Sequence, residues 1–307
     1  MDRLLARPNR SIYLALLRLF ICFHLIKKVA LQWTSLDIVY GTNSFFVPQN
    51  DPLFELLGLH IDFFRANYEL FIFAFVLLTV FYAFGIGKHA TAAAIYVFVE
   101  ILQRSNHMIL NGGDNLLKFV LLYMIFVNSY EYFCINKLRI KNAFLGKLSN
   151  LLTNLGTFSI LIHLCLVYGF SGLAKTNADL WFNGVATYYT LSLERFMGTS
   201  FNDALARNGY LVTITTYVTL LWELYFPVLI WFKKLRIYVL LVGAMLHSGI
   251  YVTMMIHDFQ ILFISLYGLF FTDAELRRAW QYVIEKLPLG KLAPRLKNKP
   301  TPPQASA

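Results

Sequence analysis

Charge is scarce in this chain. Charged residues make up 14% of its 307 residues, against 58% hydrophobic ones. A soluble domain is nearer 25% charged and 45–50% apolar. Cysteine is scarcer still, with three residues. Cys22 and Cys165 fall inside apolar runs and Cys134 lies in a basic loop, so no disulfide framework or zinc spacing can be built from them. There is no Gly-rich phosphate loop, no nucleic-acid motif and no internal repeat. The missing repeat weakens a transporter built from inverted halves, though a small-solute carrier stays as a third and weaker reading.

What is present is apolar and aromatic. Mean hydropathy is +0.56. The 28 Phe and 18 Tyr suit interfacial belts and tightly packed membrane bundles. The pattern predicts an all-α polytopic membrane bundle of about eight spans: Ile12–Ile26, Leu70–Ile86, Ala90–Leu102, Leu116–Asn128, Leu152–Leu173, Leu211–Phe232, Ile237–Met255 and Phe259–Phe271. The first is read as a retained helix, because it carries Arg18 and His24 and ends at Lys27-Lys28 without a small-residue cleavage site.

The net charge of +10 is concentrated in a few segments. About 18 of the 27 Lys and Arg residues fall in segments 1–11, 129–151, 233–236 and 272–307 and the turn at Lys88. That bias predicts both termini in the cytoplasm and argues against a nucleic-acid partner, leaving Lys27 and Lys28 as local exceptions. Residues 1–271 are read as the membrane domain, and 272–307 as a cytoplasmic amphipathic helix and basic tail. Thr272 with Glu275 has the capping-box pattern. Leu276, Trp280, Val283, Ile284 and Leu287 form one stripe of a surface helix, and 296–307 is too polar and Pro-rich to fold. The outer loops are 27–69, with the turn-rich Pro48–Pro52, and 174–210, where Ala186–Phe196 suits a short surface or re-entrant helix.

The stretch Tyr168-Gly-Phe-Ser-Gly-Leu-Ala-Lys175-Thr-Asn-Ala-Asp179-Leu-Trp181 closes the fifth span. Burial disfavours a charged amine, and a neutral amine is a usable base. On spacing alone, however, Lys175 reads better as an anchor that snorkels to the interface. Arg18 and Glu223 lie at similar depth in the first and sixth spans, which predicts a structural ion pair. Asp114 and Lys118, acid first and four apart, predict a helical pair. His247, one turn from Tyr251, suits either a packing bond or a functional role. His107, after Asn106, precedes a turn that re-enters the membrane.

Taken in order, these residues resemble the horizontally transferred transmembrane (HTTM) domain family, whose members include the vitamin K-dependent gamma-glutamyl carboxylases. The resemblance covers nearly the whole chain: Arg18 in the first span, Asn106-His107 after the third, Tyr168 to Trp181 closing the fifth, Glu223 before Pro227, and Leu246-His247. It implies that Lys175 occupies the place of the base that deprotonates vitamin K hydroquinone, with His107 as its catalytic partner. Asn106, His247, Tyr168 and Trp181 would then line the site of a reduced, lipoquinone-like cofactor. Oxygen and carbon dioxide join as co-substrates if the carboxylase chemistry is retained.

Lys175, Asn106 and His107 are accordingly expected around one outer cavity, with His247 beneath. The chain departs from the carboxylases in having only a short tail after Phe271 in place of their β-rich outer domain, and in lacking their extracytoplasmic cysteine bridge. Its size and layout are similar to those of short bacterial members, including the membrane protein needed to mature the sporulation-delaying peptide toxin. The resemblance therefore implies a multi-pass protein of a bacterial cytoplasmic membrane that modifies an exported peptide or small molecule. The alternative is a non-catalytic component that assists maturation or export of such a peptide.

Overall fold

The computed structural model describes residues 2–44, 55–56, 58 and 60–286. Every regular element among them is helical. Nine helices carry the architecture: α1 (Ser11–Leu31), α2 (Tyr68–Ala83), α3 (His89–Ser105), α4 (Gly112–Met124), α5 (Ala143–Thr176), α6 (Gly209–Leu229), α7 (Lys233–Met254), α8 (His257–Leu266, extended by a 3-10 turn over Tyr267–Phe270) and α9 (Asp273–Lys286).

Each of the eight apolar runs falls on one of the first eight helices. Three of them, α5, α6 and α7, are long and apolar enough to cross a membrane. A fourth span is possible if α8 and α9, bent by 103°, count as one broken helix. The remaining helices are short or charged. α2, α3 and α4 have 16, 17 and 13 residues. A hydrocarbon core needs about 20. α1 has 21 residues but carries Arg18, Lys27 and Lys28.

The outer faces explain where such helices belong. Phe73, Leu77 and Phe81 of α2 are exposed at four-residue spacing, as are Leu166 and Phe170 of α5 and Leu241 and Met245 of α7. Apolar faces of this extent are rarely left to water, and hydrocarbon covers them without cost. The chain is thus a membrane-associated helical protein.

Close packing of α5 on α6 positions the site. A Cβ on Gly169 would come within 3.2 Å of Pro227, and one on Gly172 within 2.9 Å of the Leu224 nitrogen. Small residues let two backbones approach this closely. Below that contact Tyr168 packs its ring against Trp222, Phe226 and Phe263, at centroid distances of 4.7, 4.6 and 5.5 Å. The chain ends are tied together as well. Asp273 accepts hydrogen bonds from the Ser11 and Ile12 amides, so the start of α9 caps the start of α1. The expected capping box is present, with Glu275 accepting from the Thr272 amide at 2.8 Å and Thr272 Oγ1 accepting from the Glu275 amide.

On α9, Trp280 and Val283 are exposed and no residue is buried. The 186–196 segment forms a helix, Ala186–Ser192, followed by a 3-10 turn, Glu194–Phe196. Pro48–Pro52, Leu287 and 296–307 lie outside the described residues.

Candidate functional site

Lys175 sits in the last turn of α5, where the helix dipole favours a cation. Its amine donates to Ser171 Oγ at 2.7 Å, one turn earlier on the same face, and to the Glu223 carboxylate of α6. Trp181 lies over it, with Nζ 4.9 Å from the ring centroid. Trp181 reaches this place because the chain turns at Asn177 into the short helix Asp179–Phe182, and Gly184 takes a φ of 72° that lets the chain pass Tyr217. The lysine and glutamate side chains are 19% and 13% exposed, so the pair is largely shielded from water without being sealed.

Two turns earlier on α5, Tyr168 begins a second polar unit. Its hydroxyl lies 2.7 Å from His247 Nε2 and 2.8 Å from the Tyr267 hydroxyl. His247 Nδ1 meets Gln260 Oε1. With the amide oxygen as acceptor, Nδ1 carries the imidazole proton, Nε2 accepts from Tyr168, and Tyr168 accepts from Tyr267. Four side chains from α5, α7 and α8 thus form one directed chain of hydrogen bonds, enclosed by Trp222, Phe226 and Phe263. Both imidazole nitrogens, both hydroxyls and the Gln260 amide oxygen are paired within it, as a membrane interior favours.

The expected site residues therefore divide. Lys175 and Trp181 are brought together, and so are Tyr168 and His247. Asn106 is used elsewhere. It is buried, accepts from the Met108 amide at 3.1 Å to cap the turn His107–Ile109, and donates to the Val39 carbonyl at 3.0 Å. His107 opens that turn and is exposed. The contacts of Lys175 are with Ser171, Glu223 and Trp181, and those of Asn106 with Val39 and Met108.

Two expected ion pairs are replaced. Arg18 does not pair with Glu223. It is 0% exposed and donates to the carbonyls of Ser129, Tyr132 and Phe133 in the segment after α4, with Tyr130 5.3 Å beneath the guanidinium. The five donors of a guanidinium can serve several converging carbonyls at once, and an expected similar depth says nothing about lateral position. Nor does Asp114 pair with Lys118. Asp114 is in the first turn of α4, where one oxygen closes a capping box on the Asn111 amide and the other takes Lys28. Lys118 turns instead to Glu100, at 3.6 Å, which also holds Arg104.

The pairs Lys28–Asp114 and Lys27–Asp258 were not foreseen. Their signal was present, since Lys27 and Lys28 run against the charge bias of the other loops. Gln260 was also missed, and a lone amide in an apolar helix such as α8 was its signal. No family model, curated protein or solved structure matches the chain.

Chemically, an amine in contact with a carboxylate can pass a proton across the pair and offer a donor or an acceptor to a third group. The aromatic face of Trp181 adds a platform for a flat ring. In the Tyr168–His247–Gln260 unit the hydroxyls, the imidazole nitrogens and the amide oxygen bond to one another, so these groups orient each other.

Proposed function

We propose that the chain is a membrane enzyme in which Lys175, set by Glu223 and Ser171, abstracts a proton from a bound lipoquinone-like cofactor, serving the modification of an exported peptide or small molecule. The observation that carries this reading is the Lys175–Glu223 pair beneath Trp181. The donor set suits a reduced quinone: Lys175 and Glu223 would hold its hydroxyl groups and Trp181 would offer an aromatic face. When bound, such a group supplies reducing equivalents and, with oxygen, the strong base that carboxylation by carbon dioxide demands. The residues of the chain hold and move the proton at Lys175 Nζ, with Glu223 balancing the charge. His107 and Asn106 keep their place in the proposal through the family resemblance to the carboxylase core.

The same reading takes the chain as a multi-pass protein of a bacterial cytoplasmic membrane. It has eight spans, both termini inside, a membrane domain over 1–271 and a cytoplasmic tail over 272–307. Cysteine labelling from outside tests the orientation: Ser44→Cys should react and Lys297→Cys should not.

Lys175→Arg tests the chemistry. Arginine keeps the ion pair with Glu223 but cannot act as a base near neutral pH. The variant is expected to keep its expression and thermal stability, to retain any quinone that co-purifies with the native chain, and to lose activity. Full activity of Lys175→Arg would leave the second reading, a non-catalytic component assisting maturation or export of a peptide. The observation favouring that alternative is that Glu223 and Ser171 already engage Lys175, as they would in a purely structural clamp between α5 and α6.

A further inference from the structure

Asn154 lies 21 residues before Lys175 on α5, about 32 Å along the helix axis and close to one hydrocarbon thickness. Here the N-terminal stretch lies along the helix. Asn154 Nδ2 donates to the carbonyls of Leu4 and Ala6 at 2.8 and 3.0 Å. Between that stretch, α5 and Trp231 is a cleft of about 370 Å³. Volumes of this order hold small molecules. The floor is apolar, made by Phe158, Leu161 and Trp231, with the Phe158 and Trp231 rings 6.0 Å apart. The rim carries Arg7 and Arg10.

The charge around the rim is unbalanced. Arg10 spends Nε on the Leu269 carbonyl at 2.7 Å and Nη1 on Asn9 Oδ1 at 3.1 Å. Burial, and then the neighbouring Arg236, hold its guanidinium below the usual arginine value, against the opposing pull of Glu275 and Asp273. Those two acids are already engaged, Asp273 by the first amides of α1 and Glu275 by Thr272 and Arg236. Arg7 meets Glu131 at 3.2 Å and its side chain is 79% exposed. Lys233 and Lys234 follow Trp231 after Phe232.

We propose that this cleft binds an anionic phospholipid, its phosphate between Arg7 and Arg10 and its first acyl chain along Phe158, Leu161 and Trp231. A basic rim over an aromatic floor suits an amphiphile with a negative head, and basic pockets at a membrane surface select anionic lipids. The site is separate from Lys175 and does not rest on the reaction proposed there.

Native mass spectrometry of the full chain in detergent tests it, with dioleoyl phosphatidylglycerol, dioleoyl phosphatidylcholine and inorganic phosphate as probes. The glycerol lipid should be retained over the choline lipid. Arg7→Gln should lower that preference about fivefold, the weight of one basic side chain near an anionic surface. Arg207→Gln, at another exposed arginine, should leave it unchanged. Melting curves of both variants check that the fold is intact. Equal retention of the two lipids overturns the proposal, and so does an equal loss in both variants, which would mean unspecific attraction. Displacement of the lipid by inorganic phosphate at similar concentration also overturns it, since the apolar floor would then contribute nothing.

Discussion

Lys175 and Glu223, 48 residues apart, share one contact across the α5–α6 interface, and Ser171 completes the lysine's polar shell. Neither side chain is more than a fifth exposed, so removing one partner leaves a shielded charge without its counterion. Such a loss costs about 3–5 kcal/mol for a well-buried pair, with screening at this partly open site placing it toward the lower figure. Lys175→Met and Glu223→Gln are each expected to destabilise the protein, and the double variant should recover part of the loss. Thermal unfolding in detergent gives the four corners of the cycle, and simple additivity would mean the two groups are not coupled.

Arg18 supplies the contrasting case. Its three carbonyl partners lie in residues 129–133, so its effect should be independent of Glu223. Arg18→Lys retains the charge but offers one nitrogen where two guanidinium nitrogens reach three carbonyls. It should cost at least about 2 kcal/mol, the scale for buried acceptors left without donors. Combined with Glu223→Gln, the effects should add to within about 0.5 kcal/mol. A larger departure from additivity would restore the link between the first and sixth helices.

These two residues show what the chain's order of residues reveals and what it withholds. Apolar runs give helix positions, because each of the eight falls on a helix, and the Thr272–Glu275 spacing gives the start of α9. Lateral neighbours are not readable in the same way, since Arg18 and Glu223, expected at similar depth, face different partners. Asp114 illustrates the local version of the problem. The i,i+4 rule favoured Lys118, but a first-turn acid points back toward its own cap and so met Lys28 arriving from α1. The Tyr168–His247 bond joins side chains 79 residues apart, which no local pattern encodes.

Gly172 is the position at which the interface can be opened selectively. A Cβ there would meet the Leu224 nitrogen at 2.9 Å and the Glu223 carbonyl carbon at 3.2 Å, backbone atoms that cannot swing away. Gly172→Ala should cost about 1–3 kcal/mol by forcing α5 and α6 apart. It should also shrink the coupling energy measured between Lys175 and Glu223. If that coupling is unchanged in the Gly172→Ala background, the close approach of the helices does not set the pair.

Glu275 makes the docking of α9 dependent on pH. Partial burial alone would raise its pKa, but hydrogen bonds from the Thr272 amide and hydroxyl, together with Arg236, outweigh that and leave it below the ordinary glutamate value. The folded state therefore binds fewer protons than the unfolded one as pH falls into the carboxylate range. The stabilisation is complete above the ordinary glutamate pKa and is lost as pH falls through the lower, folded-state value. Amide protection factors in Asp273–Lys286, taken against the intrinsic exchange rate at each pH, should thus fall on acidification below that range while those of α5 and α6 hold. Glu275→Gln should exchange faster already at neutral pH and lose most of the acid dependence. If the pH profile of the Gln variant matched that of the native chain, the acid-sensitive group would lie elsewhere, with Asp273 at the α1 cap the next residue to substitute.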